Sequence, residues 1–173
     1  MNRKQGPEQK PTILVAGVGN IFLSDDGFGP EVVRYMAGDV QPLPPQARLV
    51  DYGIRGMHLA YDLLEGYDAL VIIDARPGTG AAGELVVLEI GAEDVEGGEF
   101  DAHGMDPAAV LSALPGLGGQ LPPTYLVGCR PAVLTEGMGL TAAVRDAVPA
   151  AAEAVRRLVR ELIDDQHTVG ERV

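Results

Sequence analysis

Three side chains that could ligate a metal ion stand at separate places along the chain, and they form a site only if the fold brings them together. Asp26 lies in the glycine-rich stretch GVGNIFLSDDGFG, Asp74 ends the apolar run ALVIID, and His103 lies in EFDAHGMD. Two carboxylates and one imidazole suit a divalent transition metal and leave coordination positions open. Taken singly, either Asp26 or its neighbour Asp25 could cap a helix. Asp74 could pair with nearby Arg76, and His103 could be an ordinary solvated loop residue.

The glycine loop before Asp26 invites comparison with a dinucleotide-binding turn, but the sequence departs from that motif. The fingerprint G-x-G-x-x-G requires a third glycine, and Phe22 occupies that place in GVGNIF. The acid that holds a ribose is expected about 20 residues after the loop, and Asp51 lies farther along the chain than that. Asp25 and Asp26 would also repel a pyrophosphate. No HExxH, paired CxxC or GxSxG motif occurs, so the usual zinc-protease and serine-hydrolase signatures are absent.

Alternating strand and helix patterns supply the elements that would position these residues. Short apolar runs are typical of strands buried on both faces, and amphipathic or glycine-terminated stretches between them predict helices. The predicted strands are 12–18, 47–53, 68–75, 83–90 and 124–129, and the predicted helices are 26–38, 57–66, 106–114 and about 140–164. We expect Pro149 to kink or divide the last helix. The alternation predicts an α/β fold with a mostly parallel sheet, in which the loops that carry Asp26, Asp74 and His103 can meet at one edge.

Composition and charge limit the classes of partner. The 173 residues are the size of one domain, 1–173, with a core of about 12–163 between polar tails at residues 1–11 and at about the last eight. With 13 basic and 25 acidic residues the net charge is −12, which disfavours nucleic acid and anionic membrane surfaces. Cys129 is the single cysteine, so an internal disulfide is impossible. Because signal-peptide and membrane-spanning patterns are missing, we expect a cytoplasmic protein. We also expect it to be a monomer.

Five stretches resemble, in order and spacing, the hydrogenase maturation endopeptidases of the HyaD/HybD/HycI-like family. They are GVGNIFLSDDGFG, VDYGIRGMHL, ALVIIDA, DAHGMD and VGCRP, and the likeness extends over most of residues 12–163. The resemblance implies a three-layer α/β/α fold with a twisted five-stranded sheet. For this fold we expect the strand order 2-1-3-5-4, with the fourth strand antiparallel. It also implies an endopeptidase that removes the C-terminal extension of a nickel–iron hydrogenase large-subunit precursor after nickel insertion.

The same resemblance assigns roles to particular residues. The metal-binding positions of the family fall on Asp26, Asp74 and His103, and several members have glutamate at the first of these. The implied cofactor is nickel, which the precursor brings bound to its own cysteines. The free enzyme should therefore contain little or no nickel. Two further roles are suggested by the residues themselves and not by the resemblance. Asn20 and the neighbouring glycines could shape a groove for the extended tail of the precursor. Arg76 or Arg130 could pair with acids of that substrate.

Two other functions remain open at this point. The first is a thiol peptidase that uses Cys129 with His103 as base, although a cysteine at the end of a buried strand is more often inert packing. The second is a non-catalytic carrier of nickel or a nucleotide. A carrier would bind its free ligand tightly, whereas two carboxylates and one imidazole make a weak nickel site without further ligands.

Overall fold

A five-stranded sheet lies at the centre of the computed structural model, which describes residues 12–91, 93–94 and 107–170. The strands are β1 Ile13–Val18, β2 Ala47–Gly53, β3 Ala69–Ala75, β4 Leu85–Ile90 and β5 Thr124–Cys129. The α-helices are α1 Phe28–Ala37, α2 Gly56–Leu63, α3 Pro107–Ala113 and α4 Ala142–Gly170, and short 3-10 helices span Ser24–Gly27 and Pro115–Leu117. Within the described residues, no helix combines the length and the apolar character needed to cross a membrane.

The strand order is β2-β1-β3-β5-β4, as predicted. The pairs β1–β2, β1–β3 and β3–β5 are parallel, and the edge strand β4 runs antiparallel to β5, which confirms the expected direction of the fourth strand. Four strands therefore end at the same side of the sheet. We call this side the carboxyl edge, and it is where open α/β sheets bind ligands.

Helices cover both faces of the sheet, so the predicted three-layer arrangement is confirmed. Along β1, Ile13 and Val15 pack into the core beneath α1 and α4, whereas Leu14 and Ala16 pack into the core beneath α2 and α3. This alternation follows from the period of two in a strand. Because both faces are buried, the inner strands are apolar without interruption.

The last helix differs from its prediction in two respects. Helix α4 is continuous through Pro149, so of the two expected effects the division into two helices is wrong, and a kink at Pro149 stays a prediction. A proline removes one helical hydrogen bond, and burial of the apolar face of α4, with Val144, Ala151 and Val155 fully buried, offsets that loss. The tail predicted from 165 onward is also helical as far as Gly170. There the Oγ1 of Thr12 donates a hydrogen bond of 3.2 Å to Oε1 of Gln166, which connects α4 to the residue before β1.

Candidate functional site at the carboxyl edge

Gly19, in the loop that follows β1, lies close to the backbone of Asp26 and to the side chain of Asp74. A Cβ atom added to Gly19 would collide with the carbonyl oxygen of Asp26 and would lie 3.7 Å from Oδ1 of Asp74. The φ angle of Gly19 is 136°, a conformation that side chains rarely adopt. Glycine is therefore required here for two reasons, backbone conformation and space. The backbone of Asp26 and the carboxylate of Asp74 thus both lie beside the glycine loop, near the end of β3.

Loop hydrogen bonds fix the orientation of the Asp26 side chain. The backbone N–H of Asn20 donates to Oδ2 of Asp26 at 2.8 Å. Asn20 also accepts two bonds from the same loop, from the N–H of Phe22 to its side chain at 2.9 Å and from the N–H of Leu23 to its carbonyl at 3.0 Å. The half-buried carboxylate of Asp26 is thus oriented by a rigid loop rather than left to sample rotamers in solvent.

Asp25 has a different role from the helix cap considered for it. Its side chain is fully buried, and the N-terminal cap of α1 is Gly27, without a side-chain hydrogen bond. The carboxylate instead accepts hydrogen bonds from Ala132, Val133 and Thr141. Burial raises the pKa of Asp25, but these backbone bonds and the Thr141 hydroxyl outweigh it, so the pKa lies below its usual value of 3.8. The capping explanation is wrong for both acids, because the residues lie in the 3-10 helix before α1.

The third predicted ligand, His103, lies outside the described residues, as does Asp106. Among the residues that the structure does describe, no group of three His, Cys, Asp or Glu side chains is arranged to hold a metal ion. Asp26 and Asp74 are consequently two members of a proposed set whose third member stays a prediction. Their carboxylate oxygens are hard donors that would need at least one further ligand to retain a transition metal.

A cleft of about 250 Å³ opens beside Gly19. Six residues that line it come from the loop after β1, the end of β2 and the residue that follows β2: Asn20, Ile21, Phe22, Asp51, Gly53 and Ile54. Phe22 is 62% exposed and Ile54 is 59% exposed, so two large apolar side chains of this cleft are accessible to solvent. Arg55 stabilises the side of the cleft formed by the end of β2, because its guanidinium donates hydrogen bonds to the carbonyl oxygens of Asp51 and Tyr52.

Cys129 and Arg130, at the end of β5, have mainly structural surroundings. Cys129 is fully buried, and burial together with the charge of Asp25 raises the pKa of its thiol to about 11. The thiolate needed by a thiol peptidase is therefore scarce at neutral pH. Arg130 donates from Nη1 to the carbonyl oxygens of Arg76 and Pro77, at 3.1 and 3.0 Å, and so supports the loop after β3.

Gly29, which was not predicted to have a role, allows α1 to approach the sheet. A Cβ at Gly29 would collide with the carbonyl oxygens of Val18 and Ile73, and a Cβ at Gly17 would lie 2.5 Å from Val33. Gly29 thus performs the close helix–strand packing that the third glycine performs in a dinucleotide fold. The sequence feature that could have indicated this role is GFG, in which Gly27 and Gly29 follow directly after the two acids.

Comparisons with known proteins agree with this geometry. A family model described as hydrogenase maturation protease matches residues 30–158. The hydrogenase 2 maturation protease of Escherichia coli K12 is 34% identical over 158 residues, covering 86% of this chain and 91% of that protein. The hydrogenase expression/formation protein HupD of Rhizobium leguminosarum is 33% identical over 162 residues, covering 90% and 77%.

The solved structure of the hydrogenase maturating endopeptidase HybD from Escherichia coli has the same fold. Its TM-score is 0.73 at 33% identity, with 86% of this chain and 92% of that chain covered. The sheet order, the extent of the family match and the identity to these relatives lead to one assignment: the chain belongs to the hydrogenase maturation protease family.

Proposed function

We propose that this protein is the endopeptidase that removes the C-terminal extension from a nickel–iron hydrogenase large-subunit precursor once nickel has been inserted. The observation that carries the proposal is the place of both acids beside the glycine loop at the carboxyl edge, where the Asn20 amide donates to the Asp26 carboxylate and the Asp74 carboxylate lies near Gly19. Membership of the protease family supports the reaction class. The precursor and its nickel are inferred from the family and from the kind of ligands that the site offers.

In this proposal the nickel ion belongs to the substrate. Soft cysteine thiolates of the precursor hold it, and Asp26, Asp74 and His103 complete its coordination with harder oxygen and nitrogen donors. Asp26 is already oriented by the Asn20 amide, and Asp74 is fixed by its place at the end of β3. An unloaded precursor would lack the ion that these residues recognise, so loading would be checked before the peptide bond is cut.

The cleft beside Gly19 is suited to an extended peptide. Gly19 and Gly53 expose backbone along its floor, with Gly19 N–H bonded to the carbonyl of Gly53 at 3.0 Å. The exposed side chains of Phe22 and Ile54 offer apolar area on either side. We propose that the chain next to the scissile bond lies here, because burial of apolar side chains would contribute binding energy close to the ion.

The two alternatives fit the site less well. A thiol peptidase would need an accessible, acidic thiol, whereas Cys129 is fully buried with a pKa of about 11. A nickel carrier would need a site that retains the free ion, and among the described residues no group of three His, Cys, Asp or Glu side chains could hold one. Neither alternative explains the apolar cleft beside the carboxylates.

Incubation of the purified protein with a nickel-loaded precursor, followed by intact-mass measurement, tests the proposal. We expect one shortened product, whose loss of mass corresponds to the C-terminal extension, together with the released peptide. A precursor that already ends at the cleavage position is the matched control and should keep its mass. A precursor that stays intact, or that is trimmed at many positions, would contradict the proposed function.

A further inference from the structure

We infer that Asp25 is a positioning residue for the proposed processing reaction: its buried carboxylate fastens the irregular segment 130–141 to the turn that carries Asp26. The inference rests on the proposed function. Asp25 does not face the cleft. It acts through its neighbour, by holding in place the short turn from which the Asp26 carboxylate extends.

The hydrogen bonds of Asp25 reach across more than a hundred residues of sequence. Oδ2 accepts the backbone N–H groups of Ala132 and Val133 at 2.8 and 2.9 Å, and Oδ1 accepts that of Thr141 at 2.7 Å. The Thr141 hydroxyl lies 3.0 and 2.9 Å from the two oxygens. Since the side chain is fully buried, these donors replace the water that a carboxylate normally binds.

A second set of bonds attaches segment 130–141 to the same turn. The N–H of Ser24 donates to the carbonyl of Gly137 at 2.9 Å, and the N–H of Gly137 donates to the carbonyl of Phe22 at 3.0 Å. The Ser24 hydroxyl donates to the carbonyl of Thr135 at 2.9 Å. Ser24 has a φ of 53°, so surrounding contacts must maintain its strained backbone.

The turn needs this support because it cannot fix itself. Ser24–Gly27 is a 3-10 helix of 4 residues, and such short 3-10 segments have weak internal hydrogen bonding. Asp25 and Asp26 share this turn, so a shift of one moves the other. A misplacement of about 1 Å at a reacting group can lower a rate roughly 100-fold. The bond from the Asn20 N–H to Asp26, 2.8 Å long, would lengthen with the same shift and can report it.

We call the hydrogen bonds between the Asp25 carboxylate and segment 130–141 the clamp. Two substitutions weaken the clamp without changing Asp26. Thr141→Val keeps the shape of the side chain and removes the hydroxyl donor, and Asp25→Asn replaces an oxygen acceptor with a donor that faces other donors. Thr124→Val is the matched control, because Thr124 is a fully buried threonine whose hydroxyl donates to the carbonyl of Pro122 at 2.8 Å, at the opposite end of β5. All three lose a buried hydrogen bond, but only the first two lose one at the clamp.

The measurement is kcat with saturating nickel-loaded precursor, at a temperature where each variant is folded by circular dichroism. We expect kcat to fall roughly tenfold for Thr141→Val and roughly 100-fold for Asp25→Asn, and to stay unchanged for Thr124→Val. Hydrogen exchange of the Asn20 amide, measured without substrate, should accelerate in the first two variants only. A purely structural role for Asp25 would lower the unfolding midpoint while kcat per folded molecule stayed at the wild-type value.

The inference would be overturned if folded Thr141→Val and folded Asp25→Asn both kept the wild-type kcat. If Asp25→Asn does not fold, a wild-type kcat in folded Thr141→Val is enough to overturn it. An unchanged Asn20 exchange rate in Thr141→Val would overturn it as well. If the wild-type protein itself fails to cut the loaded precursor, the proposed function fails first, and the Asn20 exchange rates then show separately whether the clamp positions the turn.

Discussion

Asp25 and Asp26 are neighbours in the sequence, yet their carboxylates lie in different surroundings. The first is fully buried and satisfied by N–H donors from segment 130–141, and the second is half-buried and oriented by the Asn20 amide. Burial of a carboxylate is tolerated only where donors replace its hydration. One acid therefore supports the turn, and the other is presented at the carboxyl edge beside Asp74.

The acid stability of the protein should depend on Asp25. Its pKa is lowered in the folded state, so its contribution is fully present above the unfolded value near 3.8 and is lost as pH falls through the folded value. Asp25→Asn should reduce the free energy of unfolding by about 3 kcal/mol at pH 7. Urea unfolding at pH 7 and at successively lower pH should show this difference shrinking below about pH 4. A difference that stays constant across that range would assign the loss to packing instead of charge.

Each proposed ligand should be needed for processing and dispensable for folding. Replacement of Asp26, Asp74 or His103 by alanine should abolish cleavage of the loaded precursor. The free energy of unfolding should change by no more than about 2 kcal/mol for Asp26 and Asp74, because neither side chain belongs to the apolar cores. Asp68→Ala is the control, since Asp68 is exposed just before β3, at the opposite edge of the sheet. If all three alanine variants cleave the precursor at the wild-type rate, the assignment of these residues to the site is wrong.

Cys129→Ser should retain most of the processing activity. The hydroxyl would be buried at this fully enclosed position, so we expect a loss of about 1–3 kcal/mol in the free energy of unfolding. Iodoacetamide at pH 7 should also leave the native enzyme active, because a buried thiol with a pKa of about 11 is scarcely ionised. Complete inactivity of a well-folded Cys129→Ser variant would favour the thiol mechanism.

Among the elements, α1 and β1 depend on glycine for their close approach. Gly29 lies against the backbones of β1 and β3, and this contact sets the position of the turn that precedes α1. The helix could not lie at this distance with any side chain at position 29, since both obstructing atoms belong to strand backbones. The geometry of the site thus depends on the contact of Gly29 with the strands, which lies about one helical turn after Asp26.

Gly29→Ala should lower the free energy of unfolding by about 3 kcal/mol, because the added methyl overpacks a rigid contact. Gly38→Ala at the other end of α1 is the control: its φ is −88°, and the added Cβ would meet only carbonyl oxygens at 3.7 Å. The control should be neutral or slightly stabilising, as glycine costs helix entropy. Urea denaturation of both variants measures the contrast, and equal effects would contradict the packing argument.

The strands were the elements best predicted from the sequence. The bounds of β2 and β5 match their predictions, because turn residues flank short runs with strong strand preference. The continuity of α4 through Pro149 depends on tertiary burial, which periodicity does not contain. The hydrogen bond between Asp25 and Thr141 could not be predicted from the sequence either, since 116 residues separate the two partners. Of the proposed ligands, Asp26 and Asp74 both lie beside the glycine loop and His103 lies outside the described residues, so the ligand set stays a prediction.

At the scale of the whole molecule, the parallel strands gather the functional groups at one side. The loop after β1, the loop after β2 and the end of β3 contribute Gly19, the apolar cleft and Asp74 at the carboxyl edge. The net charge of −12 favours the approach of a cation or a basic segment of a partner. This arrangement is consistent with a protease that recognises an ion carried by a folded substrate together with the peptide that follows it.

The central claim is that the nickel ion arrives with the substrate, and one paired measurement tests it. The metal content of the purified protein is determined by mass spectrometry, and the same preparation is then given nickel-loaded or nickel-free precursor. We expect less than stoichiometric metal, cleavage of the loaded precursor, and no cleavage of the nickel-free precursor even with excess protease. Tightly bound zinc in the purified protein, with cleavage of the nickel-free precursor, would contradict the account and indicate an ordinary metallopeptidase.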